Sequence, residues 1–136
     1  MLDEAELRAE VASRRETLGD THPDTLSTIG NMGALLQSKG NLAEAEPLFR
    51  EWLAGCRVSL GDKHQDTLSS ISNMAHLLQA QGKLAEAEPL CREAIAGKRE
   101  TLGDRHASSF ASIGNMALLL RHQGRLTEAE PLCRRH

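Results

Sequence analysis

The fold of this chain is decided by residues 60–68, which read LGDKHQDTL. Nearly the same string, LGDTHPDTL, occupies residues 18–26, and LGDRHASSF occupies residues 102–110, so the spacing is 42 residues each time. Alignment of residues 18–59 with residues 60–101 gives 27 identities in 42 positions. Self-similarity at a fixed period is typical of repeat proteins, in which each repeat is one supersecondary unit.

The repeat boundaries organise the whole chain. Residues 18–59 and 60–101 are full repeats, and residues 102–136 keep the same histidine, isoleucine, asparagine, glycine and proline positions in a truncated third repeat. Residues 1–17 resemble the end of a preceding repeat, because Arg-Glu-Thr precedes Leu-Gly-Asp there as it does before the third copy. We therefore predict one solenoid domain over residues 1–136.

Each repeat contains two apolar patterns with the period of a helix. In the first full repeat, the first pattern comprises Leu26, Ile29, Met32, Gly33 and Leu36. The second pattern comprises Leu42, Ala45, Leu48, Phe49, Trp52 and Leu53. A glycine separates the two patterns, at Gly40, Gly82 and Gly124, and glycine readily adopts the left-handed conformation that ends a helix. These patterns predict about seven helices, near residues 3–17, 23–39, 43–58, 65–81, 85–100, 107–123 and 127–135.

Proline occurs inside the second helix of each repeat. If residue 43, 85 or 127 is the N-cap, then Pro47, Pro89 or Pro131 takes the fourth helical position, and only the first intrahelical hydrogen bond is lost. In the last copy Thr127 and Glu130 have the spacing of a capping box.

Composition agrees with an all-α fold. Apolar residues make up 40% of the chain but aromatic residues only 2%, and β-branched and aromatic side chains are those that favour strands.

Charge and segment lengths exclude several kinds of partner. The net charge is -3, and no basic cluster is interleaved with aromatic residues, which argues against nucleic acid. The longest apolar run, residues 116–120, is far shorter than the roughly 20 residues of a membrane span. The three cysteines show no CxxC spacing. We therefore expect a soluble protein of the reducing cytoplasm.

The repeat resembles the tetratricopeptide repeat. The shared features are a small residue on the first helix, a leucine three residues later, a turn glycine, and an alanine followed by a bulkier residue on the second helix. In this sequence they are Gly33, Ala75 and Ala117, then Leu36, Leu78 and Leu120, then Ala45 with Phe49 and Ala87 with Cys91. The 42-residue period and the string QGKLAEAEPL at residues 81–90 are similar to the kinesin light chain type. The resemblance implies a solenoid of helical hairpins in a right-handed superhelix.

The resemblance also implies a partner-binding groove lined by the first helix of each repeat. Its positions carry over to Ser27, Gly30, Asn31, Ala34, Gln37 and Ser38 in the first full repeat, to Ser69, Ser72, Asn73, His76, Gln79 and Ala80 in the second, and to Ala111, Gly114, Asn115, Leu118, Arg121 and His122 in the third. These positions lie off the apolar stripe, and most are small or neutral. An asparagine presents a donor and an acceptor, so it can pair with the backbone of an extended peptide. The alternative is that each asparagine bonds its own neighbouring helix.

Catalytic and metal sites have little support in the sequence. The turn histidines His22, His64 and His106 are expected to pack or to cap a helix rather than to catalyse. Cys91 occupies a repeated helix position, and we expect it to pack there as a small hydrophobic residue. No ligand spacing for a metal and no glycine-rich phosphate loop is present, so we expect no cofactor, no metal and no enzymatic activity.

The sequence therefore predicts a non-enzymatic scaffold that binds a partner peptide or helix in this groove. The alternative is a homotypic assembly element that packs through its ends. That alternative expects exposed apolar side chains at both ends, namely Leu7 and Val11, and Leu132 and Cys133. A piece of a longer repeat array would carry the same exposed ends.

Overall fold

The computed structural model of this protein describes residues 3–103 and 105–125. In this part of the chain the regular structure consists of six helices: α1 Glu4–Leu18, α2 Pro23–Ser38, α3 Leu42–Leu60, α4 Gln65–Ala80, α5 Leu84–Leu102 and α6 Ala107–His122. The predicted all-α fold is confirmed, and each of these helices begins and ends within two residues of its predicted bounds. The predicted helix at 127–135 and the capping box at Thr127 lie outside the described residues.

Glycines with positive φ end the first helix of each repeat, as the sequence predicted. Gly40 has φ 82° and Gly82 has φ 78°, a region that residues with a Cβ atom seldom adopt. Beyond Gly40 the backbone N–H of Asn41 donates to the carbonyl of Leu36 at 2.9 Å, which satisfies one of the last carbonyls of α2. The chain can then reverse into α3.

A histidine caps the start of each first helix. Nδ1 of His22, His64 and His106 accepts the backbone N–H two residues later, at 3.1, 3.0 and 3.1 Å. An unpaired N–H at a helix start needs such an acceptor. The expectation that these histidines pack or cap is therefore confirmed, and the role is capping.

The helices that contain proline begin earlier than expected. The first backbone bond of α3 is from the N–H of Ala45 to the carbonyl of Asn41 at 3.0 Å, and Asn41 is its N-cap. Pro47 is therefore the sixth helical residue rather than the fourth. The prediction that only the first intrahelical bond is lost is wrong, because Pro47 removes the third, and α3 continues to Leu60 despite this loss.

The described residues divide into two compact units, with the boundary inside α4 between Ser70 and Ile71. In the first unit, α2 packs against both α1 and α3. Its apolar stripe is fully buried, with Leu26, Ile29 and Leu36 at most 1% exposed. Burial of each such side chain contributes about 1.5–3 kcal/mol.

The first helix, α1, buries its own apolar side chains in this unit. Leu7 is 8% exposed and Val11 is 9% exposed. The expectation that these two residues form an exposed apolar end is therefore wrong, because the packing of α1 on α2 covers them. The predicted counterparts at the other end, Leu132 and Cys133, lie outside the described residues.

Ion pairs connect α1 to α3 in the same unit. Nη2 of Arg15 donates to Oε1 of Glu51 at 2.7 Å, and Arg8 pairs with Glu44 at 3.3 Å. The first pair is only partly exposed, whereas the second lies in solvent, where such a pair contributes little.

In the second unit, α5 packs against α6. The buried stripe of α6 includes Ile113, Met116 and Leu120, each 1% exposed. Arg125, which follows α6, pairs with Glu88 of α5. Each unit therefore contains a first helix packed on the second helix that precedes it in the chain.

We predict that replacement of one capping histidine destabilises the fold because the hydrogen bond accepted by its ring nitrogen is lost. His64→Ala should lower the free energy of unfolding by about 1 kcal/mol, because the N–H of Asp66 loses its acceptor. His64→Asn should restore most of that loss, because the asparagine oxygen can accept the same N–H. Urea unfolding followed by circular dichroism measures both values.

The control is His122→Ala, which removes an exposed histidine from the other end of a helix. It should change the unfolding free energy far less than His64→Ala. An equal loss in His64→Asn and His64→Ala would contradict the capping role.

Candidate functional site

One stripe of the first helix in each repeat remains outside the core. We name it the first-helix stripe. It consists of Ser27, Asn31, Ala34 and Ser38 on α2, of Ser69, Asn73, His76 and Ala80 on α4, and of Ala111, Asn115, Leu118 and His122 on α6. Asn73 and Asn115 are half-buried, and the other members are exposed. The stripe contains no Asp, Glu, Lys or Arg, so it offers hydroxyl, amide, imidazole and apolar groups.

The remaining predicted groove positions lie beside this stripe. Gln37, Ser72, Gln79 and Gly114 are half-buried, Arg121 is exposed, and Gly30 is buried. Gly30 differs from the others because another side chain of the same unit covers it.

In the first unit, two glycines of α2 admit two aromatic rings of α3. A Cβ atom at Gly30 would lie 2.8 Å from the Trp52 ring, and one at Gly33 would lie 2.9 Å from the Phe49 ring. The two rings are 5.9 Å apart between centroids and tilted by 38°, a spacing that favours aromatic pairs. Gly30 thus permits close packing of the two helices.

The second unit has the opposite distribution of large and small residues. The positions that correspond to Gly30 and Gly33 hold Ser72 and Ala75, whereas Cys91 and Ala94 replace the two aromatic residues. Two added small groups do not fill the space of a lost indole and a lost phenyl ring. A pocket results, lined by Ser72, Ala75, His76, Gln79, Cys91, Ala94, Ser112 and Asn115. It brings four predicted groove residues together: Ser72, His76, Gln79 and Asn115.

Gln79 connects the helices around this pocket. Its Nε2 donates to the backbone carbonyl of Asn115 on α6 at 3.3 Å and lies 3.8 Å from Sγ of Cys91 on α5. The amide therefore acts between helices of the unit itself. Gln79 is also one of the predicted groove positions, and its bond to Asn115 is a structural role that the sequence did not predict.

The two described cysteine thiols offer little reactive chemistry. Burial raises the pKa of the Cys56 and Cys91 thiols, which keeps them in the unreactive protonated form.

Among residues 3–103 and 105–125, no three or more His, Cys, Asp and Glu side chains are grouped so that they could hold a metal ion. Within the described helices, none combines the length and apolarity that a bilayer crossing demands.

The aromatic exchange between the repeats was not recognised from the sequence, although it has a signal there. The copy with Gly30 and Gly33 is the copy with Phe49 and Trp52, and the copy with two larger first-helix residues has two smaller second-helix residues. Such compensation between aligned repeats indicates contact. The apolar period could not predict this contact. It places Trp52 on the buried face of its helix, but it does not identify the residues of the other helix that the ring contacts.

Comparison with known families gives one match. The family model of the tetratricopeptide repeat matches residues 24–100 and 66–136. No curated protein matches the sequence.

Solved structures share the fold over nearly the whole chain. A protein from P. anserina described as a kinesin light chain with nearly identical TPR-like repeats has 29% sequence identity and a TM-score of 0.89, over 95% of this chain and 61% of that one. A variant of it has 27% identity and the same TM-score. BtubC (BKLC) from P. vanneervenii has a TM-score of 0.90 at 14% identity, over 97% of this chain and 53% of that one, and this likeness concerns the fold alone. The chain thus spans about three fifths of the P. anserina structures.

We predict strong coupling between Gly30 and Trp52. Gly30→Ser should lower the free energy of unfolding by about 2 kcal/mol, because its side chain meets the indole ring. Trp52→Ala should cost a similar amount by leaving a cavity. The double variant should lose at least about 1 kcal/mol less than the sum, since each change relieves the other. Urea unfolding of the four proteins gives the cycle.

Ala34→Ser is the matched control, because it places the same side chain on the exposed stripe of the same helix. It should leave stability nearly unchanged. Additive losses in the double variant would contradict direct packing of the indole on Gly30.

Proposed function

The chain belongs to the tetratricopeptide repeat family, with repeats of the kinesin light chain type, and on that premise we propose that it is a non-enzymatic scaffold that binds an extended segment of a partner protein along the first helix of each repeat. The single observation that carries this proposal is the first-helix stripe. Most of its members face solvent and none carries a carboxylate, ammonium or guanidinium group, and the exposed Arg121 lies beside it on α6.

The second helices differ from the first in this respect. Their exposed surfaces carry ion pairs within one helix, such as Glu46 with Arg50 at 3.0 Å and Glu88 with Arg92 at 3.2 Å. Charged groups paired in this way keep a surface solvated. The uncharged stripe of the first helices loses less hydration free energy when a partner covers it. This contrast supports the first helices as the binding surface.

Asparagine supplies the hydrogen bonds in the proposed recognition. Asn31 is exposed, and its side chain makes no hydrogen bond within the described part of the chain. A primary amide offers two donors and an acceptor in one plane, which suits the alternating C=O and N–H groups of an extended peptide. Asn73 and Asn115 occupy the same place in the following repeats.

The buried thiols and the capping histidines support a scaffold rather than an enzyme. The three turn histidines are occupied at helix starts, and the free thiols of Cys56 and Cys91 are buried. We place the scaffold in the cytoplasm, where free thiols stay reduced.

Homotypic assembly through the ends is the second candidate that the sequence raised. Its support at the N-terminal end is lost, because Leu7 and Val11 are covered by this chain itself. No other observation in the described residues favours it over partner binding.

We predict that the three asparagines contribute to affinity and little to stability. Peptides selected from a random 12-residue phage library on the immobilised full chain are the probe, and fluorescence polarisation gives their Kd. The triple change Asn31→Ala, Asn73→Ala and Asn115→Ala should weaken binding by about 1 kcal/mol per asparagine that contacts the peptide. The melting temperature should change by no more than a few degrees.

Asn41→Ala is the control, because Asn41 is exposed at the N-cap of α3 without a side-chain capping bond. It should leave the Kd unchanged. Retained affinity in the triple variant would contradict the proposed recognition. A large loss of stability in that variant would show that the asparagines bond their own helices.

A further inference from the structure

Two buried serine hydroxyls of the second unit have no hydrogen-bond partner in the described part of the chain. They are Oγ of Ser72 on α4 and Oγ of Ser112 on α6. The Ser112 side chain belongs to a residue only 4% exposed. A buried hydroxyl without a partner has lost its hydration without a hydrogen bond in return, so such groups are rare in folded proteins.

The two hydroxyls of the first unit that correspond to that of Ser112 are satisfied by their own helices. Oγ1 of Thr28 donates to the carbonyl of Asp24 at 2.9 Å, and Oγ of Ser70 donates to the carbonyl of Thr67 at 2.7 Å. Ser112 is the third member of this repeated position. Its hydroxyl is the one that lines a pocket instead of bonding a backbone carbonyl.

The pocket that both hydroxyls line has the size of a water molecule. The pocket leaves about 10 Å³ for the centre of a water molecule, which is the smallest volume that holds one water. An aromatic ring like that of Trp52 cannot enter to the same depth, because Ser72 stands where Gly30 admits the indole. The pocket therefore excludes bulky groups.

The lining is polar enough to hold water. Besides the two hydroxyls, Gln79 and Asn115 border the pocket, and a buried water typically makes about three hydrogen bonds. An apolar cavity of this size would remain dry.

We propose that this pocket is a binding site for one ordered water molecule, which bridges the hydroxyls of Ser72 and Ser112 and so links α4 to α6. The water lies beside Cys91 and Ala94, the residues that replace the two aromatic residues of the first unit. It connects two first helices, whereas the rings of the first unit pack between α2 and α3. The proposed role of the water is structural and does not rest on partner binding, although His76 and Asn115 of the first-helix stripe also line the pocket.

The first test is the sign of the stability change in Ser112→Ala, measured as the urea midpoint of the full chain. Ser13→Ala is the matched control, because Ser13 is exposed on α1 and reports the gain in helix propensity alone. If water bridges the hydroxyls, Ser112→Ala should raise the unfolding equilibrium constant about three- to tenfold relative to the control. In a dry pocket the same change removes an unpaired hydroxyl and should lower that constant.

The second test observes the water itself. In the 15N-labelled full chain, the side-chain amide protons of Gln79 should show water cross peaks of opposite sign in NOESY and ROESY spectra, which mark water held longer than surface water. The double change Ser72→Ala and Ser112→Ala should abolish these peaks and cost less than the sum of the single changes, because both hydroxyls bind one molecule. A missing cross peak in the wild-type chain, or a Ser112→Ala variant more stable than the control, would overturn the proposal.

Discussion

The fold of the first unit depends on one constraint: its first helix, α2, is buried by second helices on two sides. In the first unit α2 contacts both α1 and α3. A hydrogen bond also joins α2 to α1, because Oγ1 of Thr25 on α2 donates to the carbonyl of Arg14 on α1 at 3.3 Å. The α2–α3 hairpin therefore provides only part of the cover that α2 needs, and α1 provides the rest.

This constraint also defines where function can lie. A helix covered on two sides has one narrow stripe left, and in this chain that stripe consists of Ser, Asn, Ala, His and one Leu. The packing that surrounds it differs between the units, with aromatic rings over Gly30 and Gly33 in one and a small polar pocket beside Ser72 and Ser112 in the other. The same backbone unit thus tolerates two kinds of helix contact.

Most of the fold was accessible from the sequence, because period, turn glycine and capping histidine are local signals. Gly40 and His64 could be assigned their places without knowledge of any distant residue. What was missed depends on contacts between helices. Leu7 and Val11 look unpartnered in sequence, yet the packing of α1 on α2 buries them. The start of α3 at Leu42 was missed because no side-chain cap marks it. The groove residues were named from resemblance, and their exposure is clear only from the packing.

Circular dichroism of excised segments tests the central constraint most directly. We expect that residues 18–60, which contain α2 and α3 without α1, have a low helical signal per residue and no cooperative urea transition. Residues 1–60 should gain helical signal per residue, because α1 then covers the second side of α2. If residues 18–60 alone show the helical signal and the unfolding midpoint of the full chain, cover of α2 from both sides is not required for folding.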